Sequence, residues 1–143
     1  METISTLTYL KFKIGGCFGN CFEVTLNKKT ITYHTNESLY SIGYKHKKKI
    51  STENLDIFIS KLNEIRVNEW KDDYDSYVLD GEQWELKLSY NNQLKKRICG
   101  NNCYPNSEPN SIDRTDVFNN FMAALVLLIQ EPTFFTESFS NKP

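Results

Sequence analysis

The feature that most constrains this fold is a period of two in the apolar residues. Trp84, Leu86, Leu88 and Tyr90 alternate with polar residues, as expected of a strand with one buried face and one face in water. The same alternation occurs in earlier segments, which we interpret as a meander of strands at 10–14, 22–26, 31–33 and 40–44. Asn91-Asn92 then predicts a turn into a short partner strand at 95–99.

A spacing of three and four residues predicts two amphipathic helices. The first begins at Ser51 or Thr52, either of which can cap it. The second can be capped by Asp113, Thr115 or Asp116 and is ended by Pro132. The apolar residues of the two helices are Leu55, Phe58, Ile59, Leu62 and Ile65 in the first, and Val117, Phe118, Phe121, Met122, Leu125, Leu128 and Ile129 in the second.

The order of these elements predicts an α+β fold, an antiparallel sheet of about five or six strands with two amphipathic helices packed on one face. Segment 67–78 is interpreted as an irregular connection, because its aspartates oppose the helical spacing of its aromatic residues. A chain of 143 residues is long enough for one core, so 1–143 is predicted to be a single domain. The tail after Gln130 is the part in which we expect least order, although its phenylalanines favour docking on the core.

Charge and composition exclude some classes of partner. Seventeen Lys and Arg against eighteen Asp and Glu leave a net charge of −1, which does not favour binding to nucleic acid or to a membrane surface. Only three of the cations are Arg, the residue best suited to bidentate phosphate recognition. The N-terminal residues lack a basic patch followed by an apolar run, so we expect a cytoplasmic protein.

Residues 67–105 carry a recognisable series of motifs. The chain reads V-x-E-W, then L-D-G-x-x-W-x-L-x-L-x-Y, then I-C-G-N-N-C-Y-P. This series resembles a group of small uncharacterised bacterial proteins, in which a D-G-x-x-W strand is followed by a G-x-N-x-Y-P loop and a closing helix. The resemblance supports the α+β fold and implies no substrate. From the residues themselves, the segment is mainly structural: Trp84 fills the core, and Asn102 satisfies loose backbone groups.

The four cysteines form two similar turns, C-F-G-N-C from Cys17 to Cys21 and C-G-N-N-C from Cys99 to Cys103. Four thiolates could bind zinc, but structural zinc sites commonly use shorter spacings than the three intervening residues found here. Free thiols are the favoured interpretation, because disulfides are rare in a reducing cytoplasm. Whether the two turns meet in space is open, and no residue is assigned as a metal ligand.

Two charged stretches are further candidates for a site. The lysines of 45–49 are interpreted as a solvated edge strand, since lysine on an edge discourages aggregation. The acidic stretch 69–75 combines charge for steering with aromatic area for anchoring, although half-buried aromatics that brace a surface loop are the commoner explanation. An exposed edge of the sheet and the 100–111 loop are the other candidate surfaces. Neither His34 nor His46 has neighbours typical of a catalytic triad or a metal motif. The predicted partner-binding residues are Glu69, Trp70, Asp72, Asp73, Tyr74, Asp75, Asn102 and Tyr104.

The function hypothesis is a non-enzymatic protein-binding module, of the inhibitor or immunity type, with another protein as its partner and with no cofactor. No catalytic residue is assigned, since neither a nucleophile motif, a phosphate loop nor a carboxylate pair is recognisable. The first alternative is a zinc-stapled domain or a thiol-dependent enzyme built on the two C-x-x-x-C turns. The second is a structural or accessory protein. The oligomeric state is left open.

Overall fold

A computed structural model describes residues 3–16, 21–36, 45–76 and 81–130 of the chain. These residues form one seven-stranded sheet and two α-helices. The strands are β1 Leu7–Gly16, β2 Cys21–Asn27, β3 Thr30–Asn36, β4 Lys45–Lys49, β5 Asp73–Asp75, β6 Glu82–Tyr90 and β7 Leu94–Asn101, and the helices are α1 Thr52–Glu64 and α2 Asp116–Ile129. The α+β class predicted from the sequence is confirmed.

The strand order is β4-β3-β2-β1-β6-β7-β5, so the N-terminal strand β1 lies in the middle of the sheet. All neighbouring pairs are antiparallel except β5 and β7, which are parallel. The turn between β6 and β7 uses Asn91 and Asn92 at positive φ angles of 50° and 74°, as the asparagine pair predicted. Lys28, with a φ angle of 58°, turns β2 into β3.

The sheet has more strands than the five or six predicted, because two short strands lie at its edges. β4 is formed by the lysine cluster, which confirms its interpretation as an edge strand; the strand predicted at 40–44 lies outside the described residues. β5 lies within segment 67–78, which was wrongly predicted to be wholly irregular. Its physical basis is Tyr74, whose ring stacks on Trp84 at 5.9 Å and holds the flanking aspartates at the edge. A single 3₁₀ turn, Val67–Glu69, precedes it.

Both helices pack on one face of the sheet, as predicted. Their buried residues and the inward residues of the strands form one core cluster, in which Phe12 of β1 contacts Phe118 and Phe121 of α2. Ser51 caps α1 by accepting a hydrogen bond from the Asn54 amide at 3.1 Å, and Thr115 caps α2. The helix α2 ends at Gln130 with a φ angle of 59°; Pro132 and the rest of the tail lie outside the described residues.

Candidate recognition face of the sheet

The face of the sheet opposite the helices carries polar side chains in transverse rows, because residues paired across strands point to the same side. The upper row is Lys45, His34, Glu23, Lys13, Glu85, Cys99 and Asp73. The middle row is Lys47, Thr32, Thr25, Lys11, Lys87 and Arg97. The lower row is Lys49, Thr30, Asn27, Tyr9, Ser89 and Lys95. None of these residues is buried, so we call this surface the open face.

Positive charge is concentrated in the middle and lower rows. Within these two rows of the described strands there are six cations and no carboxylate, on a protein whose net charge is −1. We call this set the basic stripe: Lys11, Lys47, Lys49, Lys87, Lys95 and Arg97. The stripe runs across the sheet from β4 to β7, with threonines and an asparagine in its rows on β3 and β2.

The centre of the basic stripe places like charges directly opposite one another. Lys87 of β6 is paired with Lys11 of β1 on one side and with Arg97 of β7 on the other. Directly opposed side chains have Cβ atoms about 4.5–5.5 Å apart, and like charges in that arrangement oppose folding. The direct pairing of these three cations therefore lowers the stability of the sheet unless nearby carboxylates offset it.

Carboxylates of the upper row partly compensate this repulsion along the diagonals. Glu23 lies 3.0 Å from the ammonium of Lys11, and Glu85 lies 2.6 Å from Arg97 and 3.9 Å from Lys87. The hydrogen bond to Glu23 raises the pKa of Lys11. Burial acts to raise the pKa of Glu85, but the hydrogen bond from Arg97 and the charges of Arg97 and Lys87 outweigh it, and the pKa lies below its ordinary value.

A groove of about 500 Å³ opens at the upper end of the face. It exists where Gly15 contributes no side chain between two taller neighbours, Cys21 on one side and Gln83 on the other. The other polar side chains along its wall are Lys13, Asp73, Asp75, Glu85, Cys99 and Asn101. The groove therefore lies at the end where the sheet carries its carboxylates, away from the basic stripe.

Two thiols line this groove but do not meet. Cys21 is on β2 and Cys99 is on β7, with β1 and β6 between them, a separation of about 14 Å at the usual strand spacing. Zinc–sulfur bonds of about 2.3 Å cannot join thiolates at that distance. Burial raises the pKa of both thiols, which disfavours the nucleophilic thiolate. No group of three or more metal-ligating side chains is found in the part of the chain that the structure describes, which omits Cys17.

The motif residues between 81 and 114 form an internal brace. Gly81 has a φ angle of 129°, and the side chain of Asn102 packs against it while accepting a hydrogen bond from the Glu82 amide at 2.9 Å. Glu82 in turn accepts hydrogen bonds from the Tyr104 hydroxyl at 2.7 Å and from Arg114. This confirms that Asn102 satisfies loose backbone groups. Burial, followed by the charge of Glu82, raises the pKa of Tyr104 well above its ordinary value, so this hydroxyl stays a donor.

The predicted partner-binding residues divide into two groups. Trp70, Asn102 and Tyr104 are buried, and Tyr74 is half-buried against Trp84. The exposed ones are the carboxylates Glu69, Asp72, Asp73 and Asp75. Asp72 forms an ion pair with Lys96 at 3.5 Å, while Asp73 and Asp75 border the groove. The acidic stretch thus presents carboxylates at the β5 edge, while its tryptophan is part of the core. Partner binding by all these residues stays a prediction.

Sequence reasoning did not single out Lys11, Lys87 or Arg97. Lys11 and Lys87 were recognised only as polar residues alternating with apolar ones, and Arg97 only as part of the strand predicted at 95–99. Their proximity depends on β6 lying between β1 and β7. The signal that was available is a run of cations at alternate positions in strands β1 and β7, namely Lys11 and Lys13, and Lys95 and Arg97. That pattern predicts a basic face without predicting which strands share it.

The fold and its open face define a class of protein: a single mixed sheet, covered by helices on one side, with a charged surface on the other. None of the described helices has both the length and the apolar character needed to cross a bilayer. A family model described as "domain of unknown function", DUF6438, matches residues 8–116, and the chain belongs to this family. The match runs from β1 to the start of α2 and so includes the whole open face. No curated protein matches the chain.

Proposed function

We propose that this chain is a non-enzymatic protein-binding module, of the inhibitor or immunity type, which recognises its partner with the open face of the sheet. We also propose that the protein is bacterial and cytoplasmic, and that its relatives share the D-G-x-x-W and G-x-N-x-Y-P motifs. The role of those motifs would be to brace the fold, since Gly81 and Asn102 are engaged with each other.

The observation that carries the proposal is the pairing of Lys87 with both Lys11 and Arg97. Two carboxylates, Glu23 and Glu85, are shared among these three cations, so the centre of the stripe keeps an excess of positive charge where like charges are directly opposed. A partner with the opposite charge would convert this repulsion into attraction and would also be steered to the surface. Charged residues whose arrangement does not favour folding are often functional.

The exposed carboxylates at the β5 edge would supply a second contact with the partner. Asp72, Asp73 and Asp75 are exposed at the opposite side of the sheet from the lysines of β4. Separated charges of both signs specify the orientation of a partner better than one sign alone. Changing these three aspartates together should slow association and flatten its dependence on salt.

An experiment with matched variants tests the proposal. Tagged wild-type protein is compared with a stripe variant, Lys11→Thr with Lys87→Thr, and with a control variant, Lys61→Gln with Arg66→Gln. Both pairs remove two cations, but the control pair lies at the end of α1 on the helical side. The expected result is a stoichiometric partner, recovered from the native host by wild type and control at moderate salt and lost by the stripe variant. The absence of such a partner, or its equal recovery by all three proteins, would refute the proposal.

The thiol-dependent alternative has less support from the geometry. Cys99 has its sulfur 3.8 Å from Glu85, and a carboxylate disfavours formation of the thiolate instead of promoting it. A nucleophilic cysteine needs a base or a positive environment that lowers its pKa. Neither described thiol of the groove has one strong enough to offset burial.

A further inference from the structure

The spacing of the basic stripe indicates what kind of surface it fits. Neighbouring strands lie about 4.7–4.9 Å apart, so cations on adjacent strands are separated by that distance across the sheet. Residues three and four apart on a helix have Cβ atoms about 5–6 Å apart. A helix lying across the strands can therefore present one carboxylate to each of Lys11, Lys87 and Arg97.

The rest of the stripe leaves room for such a helix. Between the central cations and Lys47 of β4 lie Thr25 and Thr32, whose short side chains allow a helix to approach the strands. From β4 to β7 the middle row crosses five strand spacings, about 24 Å, which equals the length of a helix of about 16 residues. Lys47 and Arg97, both exposed, stand at the two ends of this path.

Nucleic acid is a poorer fit to the same charges. Sheets that bind single strands stack bases on aromatic side chains of their central strands, and proteins that read phosphates favour arginine. In the three rows of the described open face, Tyr9 and His34, which lie on different strands, are the two aromatic rings, and Arg97 is the one arginine. The surface offers point charges and short polar side chains, which suit carboxylates on a protein.

We propose that the basic stripe is the docking site for an acidic helix of a partner protein, laid across strands β4 to β7 with its carboxylates facing Lys11, Lys87 and Arg97. The proposal rests on the protein-binding function proposed above and adds the chemistry and geometry of the partner's contact.

The test uses three probes of defined chemistry. The first is a 20-residue alanine-based peptide with glutamates spaced three and four apart along one face. The second has the same composition with the glutamates distributed around the helix. The third is a single-stranded oligodeoxynucleotide of the same net charge. Each is titrated into the full chain, and the backbone amide signals are followed by NMR at low and at moderate salt.

The expected result is saturable shifts of amides in the rows of β1, β6 and β7 with the first peptide, and weaker binding of the other two probes. Lys87→Glu with Arg97→Glu should weaken the first peptide's binding by about tenfold or more, because two charge contacts are reversed. The control Lys61→Glu with Arg66→Glu changes the net charge equally and should change the affinity by less than about twofold.

Three results would overturn the inference. Tighter binding of the oligonucleotide would make the stripe a nucleic-acid site, and equal binding of both peptides would show that a helix with carboxylates on one face is not required. Amide shifts confined to other surfaces would show that the peptide does not bind at the stripe. Failure of this inference is distinguishable from failure of the proposed function. A stripe-dependent partner recovered from the host, together with no response to the acidic-face peptide, would refute this inference alone. A stripe-dependent peptide response without any host partner would refute only the protein-binding role.

Discussion

The indole of Trp84 lies directly over Gly100 on the neighbouring strand, in the space that a side chain at position 100 would occupy. The ring is held there by a hydrogen bond from its nitrogen to the Cys103 carbonyl at 3.0 Å and by stacking on Tyr104 at 6.3 Å. The contact joins two motif segments that are sixteen residues apart in the chain. It explains why glycine follows the cysteine at the end of β7.

Gly100→Ala is therefore expected to lower the free energy of unfolding by about 1–3 kcal/mol, the usual cost of inserting a methyl group into a packed site. The ring cannot move aside without breaking its hydrogen bond to Cys103. Urea denaturation measures the effect, and Lys95→Ala on the same strand is the control, with an expected change within about 0.5 kcal/mol. Equal stability of the two variants would show that the indole is not confined.

Asn102 is expected to act on stability and not on binding. Asn102→Gly keeps a residue that tolerates the φ angle of 52° but removes the acceptor of the Glu82 amide hydrogen bond. The loss should be about 1–3 kcal/mol, because the part-buried amide of Glu82 loses its acceptor. Asn119→Gly, at an exposed position of α2, is the control, because it measures the general loss of stability when glycine replaces asparagine. A stable Asn102→Gly variant that no longer binds its partner would restore Asn102 as a contact residue.

Lys87→Thr should stabilise the protein by about 0.2–1 kcal/mol, because it removes two opposed like-charge pairs and threonine is favoured in strands. The gain should shrink in concentrated salt, which screens exposed charges. Chemical denaturation with urea at low and high salt measures both effects. A loss of stability at low salt would mean that the ion pair with Glu85 outweighs the repulsion, and the basis for the recognition face would be lost.

Glu85 should make stability depend on pH in the acid range. Because its folded pKa is lower than the ordinary value of 4.5, the carboxylate contributes stability above that pH, and the contribution is lost as the pH falls through the folded pKa. Glu85→Gln should therefore be less stable than wild type at neutral pH, with a difference that narrows in acid. Glu108→Gln, which removes a carboxylate at an exposed position, is measured in parallel as the control. A Glu85→Gln difference that does not narrow would contradict the lowered pKa.

The thiols of the groove should react slowly at neutral pH. Burial raises the pKa of Cys21 and Cys99 above the ordinary value of 9.0, so little thiolate is present. A variant with Cys17→Ser and Cys103→Ser keeps only these two, and its alkylation by iodoacetamide should be slower than that of glutathione at the same pH. Faster reaction than glutathione at neutral pH would revive the thiol-dependent alternative.

The strands and helices can be predicted from local patterns in the sequence, whereas the candidate site cannot. Alternation identified β1, β2, β3 and β6 because each has one face in the core and one in water. β5 was missed because three residues are too few to show a period, and its pairing with β7 depends on the stacking of Tyr74 on Trp84. The acidic stretch was recognised as charged, with half-buried aromatics as the commoner interpretation, and the structure places Trp70 in the core.

The basic stripe was beyond prediction for a different reason. Lys87 and Arg97 face each other within one hairpin, but Lys11 comes from β1, which is distant in the chain, and a shift of one residue in either register would separate the three cations. Within 81–105, the predictions that Trp84 fills the core and that Asn102 satisfies a backbone group are confirmed, because a large aromatic and a side-chain amide each have a recognisable local role. Sequence patterns thus predict whether a side chain faces the core or the solvent, but they do not predict as well which side chains from other strands it contacts.

The central position of β1 has a consequence for how the chain is made. Strand β2 can pair with β1 as soon as it emerges from the ribosome, and β3 can then pair with β2, but the other neighbour of β1, β6, begins 66 residues after β1 ends. During that interval the nascent meander presents an unpaired strand with the apolar residues Leu10, Phe12 and Ile14 on one side. Synthesis at about 5–20 residues per second leaves this edge open for about 3–13 seconds, when chaperones would be most needed.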